Sequence, residues 1–411
     1  MRARRGSAFI LALAGLVVLT VVLATAAADA SAAARAQLHA LDGERARRMA
    51  RSGIEYALSQ IGEVDTATVT LDDEWSSIGD SGNQLVRVGG GGFRVQITDA
   101  SGRLDLNTVP QEQLEQLPLT TEQIESLLDW REPDLQPRVE GAKDEYYNAL
   151  ETPYNARLQP FQSVDELLLV KGWLPGTLFE AQTQTAGLAL STQDEEIRPL
   201  YEVFCVGPGS PNVTPTGTPK SNVNVATTQQ LVQAGLPNQL ATAIVQRRNT
   251  VGTFTSWTQL LQTQGINQQN VGQVLDACTL DQTDRGLGRI NVNTALPEVV
   301  STIPGIEADV AEAVQSRQGT FTSLSDLVGV PGVSVANLGQ FVGRLTTGSD
   351  TFLVRCLGSY GSRSVALEAY VLIGETGPRI LRIISYPLPD APTQWGWETE
   401  QTTETVLVAE A

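Results

Sequence analysis

The chain changes polarity sharply at its start. After Met1-Arg2-Ala3-Arg4-Arg5-Gly6, an uncharged and mainly apolar run begins at Ser7, continues to Ala28 and stops at Asp29. As a helix rising about 1.5 Å per residue, that run spans roughly 30 Å, one bilayer core. The arginines in front hold that end in the cytoplasm, so whatever follows Asp29 is expected to be exported. Ala-rich sequence without proline then continues to Leu58, with Leu38, Leu41, Ile54 and Leu58 recurring at helical spacing. The pattern predicts one long helix, apolar in its first half and amphipathic in its second.

Three readings of this N-terminus compete. One is a cleaved secretory signal with a small-residue cut at Ala26-Ala27-Ala28 or Ala28-Asp29-Ala30; a second is an uncleaved anchor. The third is a type IV pilin-like leader, because Arg4-Arg5-Gly6 followed by Ser7-Ala8-Phe9-Ile10-Leu11 resembles the site cut after Gly6. The unbroken helical sequence beyond Asp29 favours the third, since an ordinary signal peptide ends in a turn. One position departs from the pilin pattern. The Glu that most pilins carry five residues after the cut is Leu11 here. Losing that charge within the bilayer should weaken stacking on a neighbour.

Period-two patterning marks the strands. Leu85 to Val88 and Phe93 to Ile97 flank Gly89-Gly90-Gly91-Gly92 as a hairpin; Phe352 to Leu357 and Val365 to Leu372 form another, and Ile380 to Tyr386 adds a strand. Leu200 to Val206 reads as a short strand, Pro208 to Lys220 as a linker or loop, and the chain past Pro387 as poorly ordered.

Between the hairpins one pattern occurs three times. Leu104-Asp105-Leu106-Asn107-Thr108, Asn222-Val223-Asn224-Val225-Ala226 and Ile290-Asn291-Val292-Asn293-Thr294 open the copies. Short turns follow at Leu117-Pro118-Leu119, Gly235-Leu236-Pro237 and Pro304-Gly305-Ile306, and second helices end at Arg131, Arg248 and Arg317. Each copy then presents Phe-x-Ser-x-x-(Asp/Glu/Gln)-Leu, from Phe161, Phe254 and Phe321. Asn, Thr and Ser suit N-caps, and Phe and Leu supply a buried face. These are helix-hairpin-helix units. The whole is therefore α+β: a pilin-like long N-terminal helix and an antiparallel sheet with inserted all-α repeats.

Charge narrows the function. A net charge of −18 and a pI near 4.5 repel phosphate backbones, and the hairpins carry no lysine cluster, so no nucleic acid is expected. A membrane-anchored, competence-type DNA-binding protein is the alternative reading, because it joins an anchor to the same motif. Three dispersed cysteines, Cys205, Cys278 and Cys356, exclude a CxxC metal site, and any pairing among them is not fixed by spacing. The single histidine, His39, lies in the N-terminal helix, where it reads as a surface residue. Gly358-Ser359-Tyr360-Gly361-Ser362 lacks the strand-to-helix context of a nucleophile elbow. No catalytic residues are assigned and no enzyme is expected. The first repeat alone carries an insert between Arg131 and Phe161, whose Glu132, Asp134, Glu140, Asp144 and Glu145 offer oxygen ligands for a hard cation. A solvated acidic loop is the plain alternative, as no EF-hand spacing is present.

The order of these parts resembles the minor pseudopilin K (general secretion pathway protein K) family of type II secretion over nearly the whole chain. Echoes include Asp129-Trp130-Arg131-Glu132-Pro133-Asp134, Gly141 through Tyr147, Phe161 through Gly172 and Gly209-Ser210-Pro211-Asn212. That family also lacks the pilin Glu and sits at the filament tip. The resemblance implies a 1–6 leader cut between Gly6 and Ser7 by the prepilin peptidase, with Ser7 N-methylated. It also implies an inner-membrane anchor with a periplasmic head, and I- and J-like subunits as partners beside membrane lipid, cargo or the outer-membrane secretin. Calcium is the cofactor it implies. The resulting division is a 7–62 helix, a 63–103 β region, 104–190 as the first unit with its acidic insert, and 191–221 as strand and linker. Residues 222–347 are the second and third units, 348–386 the C-terminal β region, and 387–411 an acidic tail.

Overall fold

In a computed structural model of the chain, the structure describes residues 5–183, 196–386, 391–397 and 405–407. Helix α1 runs from Arg5 to Ile61 without interruption, about 85 Å at 1.5 Å per residue. Its large apolar residues from Phe9 to Leu23 are 53 to 73% exposed, so this half has no partner among the described residues. The docked face begins later than the leucine spacing predicts. Leu38 and Leu41 are exposed, whereas Ala46, Ala50, Ile54, Ala57 and Ile61 are fully buried. Small residues win there because the helix lies almost on the backbone of the sheet.

That sheet has six strands: β1 (Leu85–Val88), β2 (Gly91–Asp99), β3 (Thr351–Tyr360), β4 (Arg363–Gly374), β5 (Gly377–Tyr386) and β6 (Thr405–Leu407). Their order is β5-β4-β3-β2-β1-β6, antiparallel except for the parallel β1–β6 edge. Alternation sorts the central strands between two layers. Phe352, Val354 and Cys356 of β3, with Leu367, Ala369 and Val371 of β4, face α1. Leu353, Leu357, Ala366 and Tyr370 face the other way, into the core of the helical body. The tail contributes to this second layer, against the expectation of disorder: Trp395 and Trp397 are buried, and Trp397 Nε1 donates to Gln96 Oε1 at 3.1 Å. Aromatic burial outweighs the polar composition around it.

The helical body is inserted between two neighbouring strands, since Asp99 at the end of β2 pairs with Phe352 at the start of β3. Within it the three repeats share one internal architecture. Each is closed by a two-residue parallel strand pair joining its first and last residues: Leu104-Asp105 with Phe204-Cys205, Ser221-Asn222 with Cys278-Thr279, and Ile290-Asn291 with Leu345-Thr346. The region around Tyr201 differs from the strand reading. Leu200–Val203 is a helical turn, and only Phe204–Cys205 is extended. Nor is 208–220 a free linker, because Gly209–Pro211 pairs with Arg285–Leu287.

The repeat signature now has physical content. Asn107, Asn224 and Asn293 do not cap the helices that follow them. Each clamps the phenylalanine of its own unit instead, donating Nδ2 to the Phe carbonyl and accepting the Phe amide on Oδ1 (3.1 and 2.6 Å, 2.9 and 2.7 Å, 2.8 and 3.2 Å). The Glu166, Gln259 and Asp326 side chains accept the amide of the residue after each Phe, at 2.9, 2.9 and 2.7 Å. Arg131 and Arg248 return to the opening segment, each donating to two carbonyls there. The third unit uses Gln318, which donates to Ala295 O, for the same purpose. Asn293 is fully buried, so Asn293→Ala leaves the Phe321 amide and carbonyl without partners. We expect a loss of about 2 kcal/mol in denaturant unfolding, at the cost of an unmade buried hydrogen bond.

Each unit also contains a second helix-hairpin-helix that the sequence reading stops short of. Gly172, Gly265 and Gly332 follow Phe161, Phe254 and Phe321 at the same offset and turn at φ of +81, +97 and +82°. Helices Pro175–Phe179, Val271–Ala277 and Val335–Phe341 then complete the units. Those evenly placed glycines were the available signal, because a left-handed turn at that register calls for glycine.

Candidate functional site

The residues singled out from the sequence fall in two regions, the stem and the acidic insert. On the stem, Gly6 and Ser7 lie in the first turns of α1, and Leu11 follows, 73% exposed. Among the described residues this is one helix long and apolar enough to cross a membrane. Residues 1–4 of the leader lie outside the described residues. His39 lies exposed on the same helix.

At the lower end of the stem, two close approaches set the seam. A Cβ at Gly358 of β3 would lie 2.1 Å from Ala50 N and 2.3 Å from Ala46 O; a Cβ at Gly53 of α1 would lie 2.3 Å from Cys356 Sγ. Glycine is required at both because backbone and side chain already fill the space. Gly358 is thus a packing residue within a strand-turn-strand, as the absence of an elbow context predicts.

The acidic insert does not assemble its five candidate ligands. Glu132 is held by both oxygens to Arg138 Nη2, at 3.0 and 2.8 Å. Asp134 Oδ1 accepts Gln136 N, and Asp144 Oδ1 accepts Ala156 N. Glu140 contributes its backbone, its amide donating to Glu125 Oε2 and its carbonyl accepting Lys171 Nζ. Glu145 is exposed in the helix Asp144–Asn148. Among the described residues, no group of three or more His, Cys, Asp or Glu is placed to hold a metal ion. Calcium needs six to eight oxygens at about 2.3 to 2.6 Å, and these five residues do not fit it. Sequence proximity suggested a cage; the basic side chains between the acids dissolve it.

Those basic side chains occupy the centre of the insert. Lys143 is 5% exposed, with Nζ donating to Asp129 O at 2.5 Å and Glu132 O at 3.0 Å. Burial pulls its ammonium below the usual lysine range, while Asp129 and Glu132 pull the other way. Arg138 donates to Asp129 Oδ1 at 2.7 Å as well as to Glu132. Burial opposes its charge, and the hydrogen bonds it donates to Glu132 and Asp129 carry it above the usual range. Asp129, missing from the predicted ligand set, is the hub and is fully buried.

The cysteines are free and buried, each in a different part of the fold. Cys205 and Cys278 occupy the closing strands of the first two units, and Cys356 faces α1. Burial pushes the Cys278 thiol up to about 12, so it behaves as a small hydrophobe.

Comparison with known proteins bears on this arrangement. Residues 103–181 match the family model for the type II secretion system (T2SS) protein K, and residues 219–279 match that for the helix-hairpin-helix motif. No curated protein matches the chain. Among solved structures, a chain in the crystal structure of the GspK-GspI-GspJ complex from enterotoxigenic Escherichia coli Type 2 Secretion System aligns with a TM-score of 0.51 at 15% identity. The alignment covers 86% of this chain and 99% of that one. The likeness to the K minor pseudopilins read from the sequence is borne out. The fold likewise keeps the K-like plan of long helix, antiparallel sheet and helical insert.

All three lysines are engaged internally: Lys143 as above, Lys171 with Glu140 O and Glu122, and Lys220 with Leu275 O. Arg248 is spent on Val223 and Ala226 carbonyls. Phosphate contacts need free cations beside the hairpin amides, and these four side chains are committed to the protein's own acceptors.

Proposed function

We propose that this chain is a minor pseudopilin of the K type, seated at the tip of a type II secretion pseudopilus, where it initiates filament assembly and supports protein secretion. The observation that carries the reading is the division of α1: an apolar half with no partner among the described residues, continuous with a half docked on a sheet. Apolar surface of that extent needs a lipid or helical partner. Once cut after Gly6, the helix packs against those of I- and J-like subunits, and the head stands in the periplasm above the inner membrane. Leu11, in place of a charge that would engage a neighbour, suits a subunit flanked on one side only. The role is structural and not catalytic, and the head works through surface complementarity with sister subunits, cargo or the secretin.

The test is the mass of the mature N-terminus from membranes. A chain beginning at N-methylated Ser7 is expected, with Gly6→Val leaving an uncut precursor and abolishing secretion. A start near Asp29 would overturn the reading. Co-purification with I- and J-like subunits should survive Gly6→Val only in the precursor membrane pool.

A further inference from the structure

The acidic insert of the first unit raises a question its charges alone leave open, because it folds around a centre that is positive. The C-terminal end of the helix Thr121–Arg131 contributes Asp129 O and the C-cap Glu132 O to this centre, and a helix C-terminus favours cations. Two oxygens of that region, Asp129 O and Glu132 O, converge on Lys143 Nζ at 2.5 and 3.0 Å. On the adjoining side, Asp129 and Glu132 carboxylates converge on Arg138, whose own amide donates to Asp129 Oδ2 at 3.0 Å. The loop is drawn tight over this hub: a Cβ at Gly141 would lie 2.0 Å from Asp129 Oδ2.

Carbonyls and carboxylates facing inward from a folded loop are what a hard divalent cation requires. We infer that Lys143 and Arg138 take the place of such an ion, so that the insert of this chain folds without metal. The ammonium supplies a compact charge with three donors to the carbonyls, and the guanidinium supplies a planar fork to the carboxylates. Binding calcium here would require expelling Lys143 from a buried position and setting two cations against one another. The inference concerns how the head holds itself together, and it is independent of the partners the head meets.

The experiment uses the full-length chain in detergent. Metal content by elemental analysis should fall far below one ion per chain. The melting temperature should move by less than about 1 °C with chelator or with millimolar calcium, because a ligand raises it only by binding the native state. Calcium near one ion per chain, or a wild-type melting temperature that falls by about 5 °C or more in chelator, overturns the inference. Lys143→Glu supplies the converse. It removes the internal cation and adds a carboxylate beside the same carbonyls, so it should melt below wild type in chelator and recover at least half the loss in millimolar calcium. A folded Lys143→Glu protein indifferent to calcium would show that this centre is no cation position, and would also overturn it. Should that variant fail to fold, the wild-type measurements decide.

Discussion

Glu368→Leu should destabilise the head by about 3 to 5 kcal/mol, the cost of leaving a buried charge without its partner. Arg355 and Glu368 face each other across β3 and β4, with side chains 2 and 1% exposed and Nε to Oε2 at 3.0 Å. Glu368 also accepts from Tyr201 at 3.1 Å and Tyr386 at 3.2 Å, and the Arg355 guanidinium lies 4.7 Å over the Tyr201 ring. Tyr201 belongs to the first helical unit and Tyr386 to β5, so the pair ties the sheet to the body packed on it. Removing the carboxylate leaves the buried guanidinium without its ion-pair partner. The double variant Arg355→Met with Glu368→Leu should recover most of the loss, since a buried pair replaced by apolar groups is often neutral. Denaturant unfolding of the three proteins measures this; a single variant as stable as wild type would refute it.

A second large effect is expected at the seam between stem and sheet. Gly358→Val places methyl groups where Ala46 and Ala50 backbone already stands, and the helix cannot yield locally without breaking its own hydrogen bonds. Overpacking typically costs about 1 to 3 kcal/mol, and a clash with main chain belongs at or above the upper end. The loss should be read not only as a lower melting temperature but as new proteolytic cleavage between residues 46 and 61. Gly43→Ala is the matched control. Gly43 lies in the same helix with nothing within 4 Å of an added Cβ. That change should be neutral or stabilising by up to about 1 kcal/mol, from helix propensity. If the two substitutions behave alike, the seam is not set by close approach.

The sequence made the large elements legible because each carries a strong periodic signal. The unbroken apolar run to Ala28, the alternation around β3 and β4, and the threefold Phe-x-Ser signature all translated directly into elements. Features set by long-range partners were less visible. The asparagines read as caps became clamps, because the amide that satisfies Asn107 lies at Phe161, beyond any local pattern. Trp395 and Trp397 sit in a sequence whose composition reads as loose tail, and only the sheet face supplies the pocket that orders them. The five acids of the insert are not brought together, for a similar reason. Charge counting registers five carboxylates in a row of loops, while Lys143 and Arg138 decide the outcome by where they point.

Insertion of the helical body between adjacent strands also constrains the order in which the molecule assembles. The pairing of Asp99 with Phe352 closes a loop containing all three repeats, and in an unfolded chain such closure is slow. Each repeat, however, clips its own ends together first, and these local closures shorten the effective path. Once the body is formed, Ser101 and Ser349 stand within hydrogen-bonding distance, 3.0 Å between hydroxyls, which presents β2 and β3 to one another ready to zip. Nucleation in the repeats, followed by late completion of the sheet, is therefore the kinetic route that this topology favours, and the stem acquires its docking platform last.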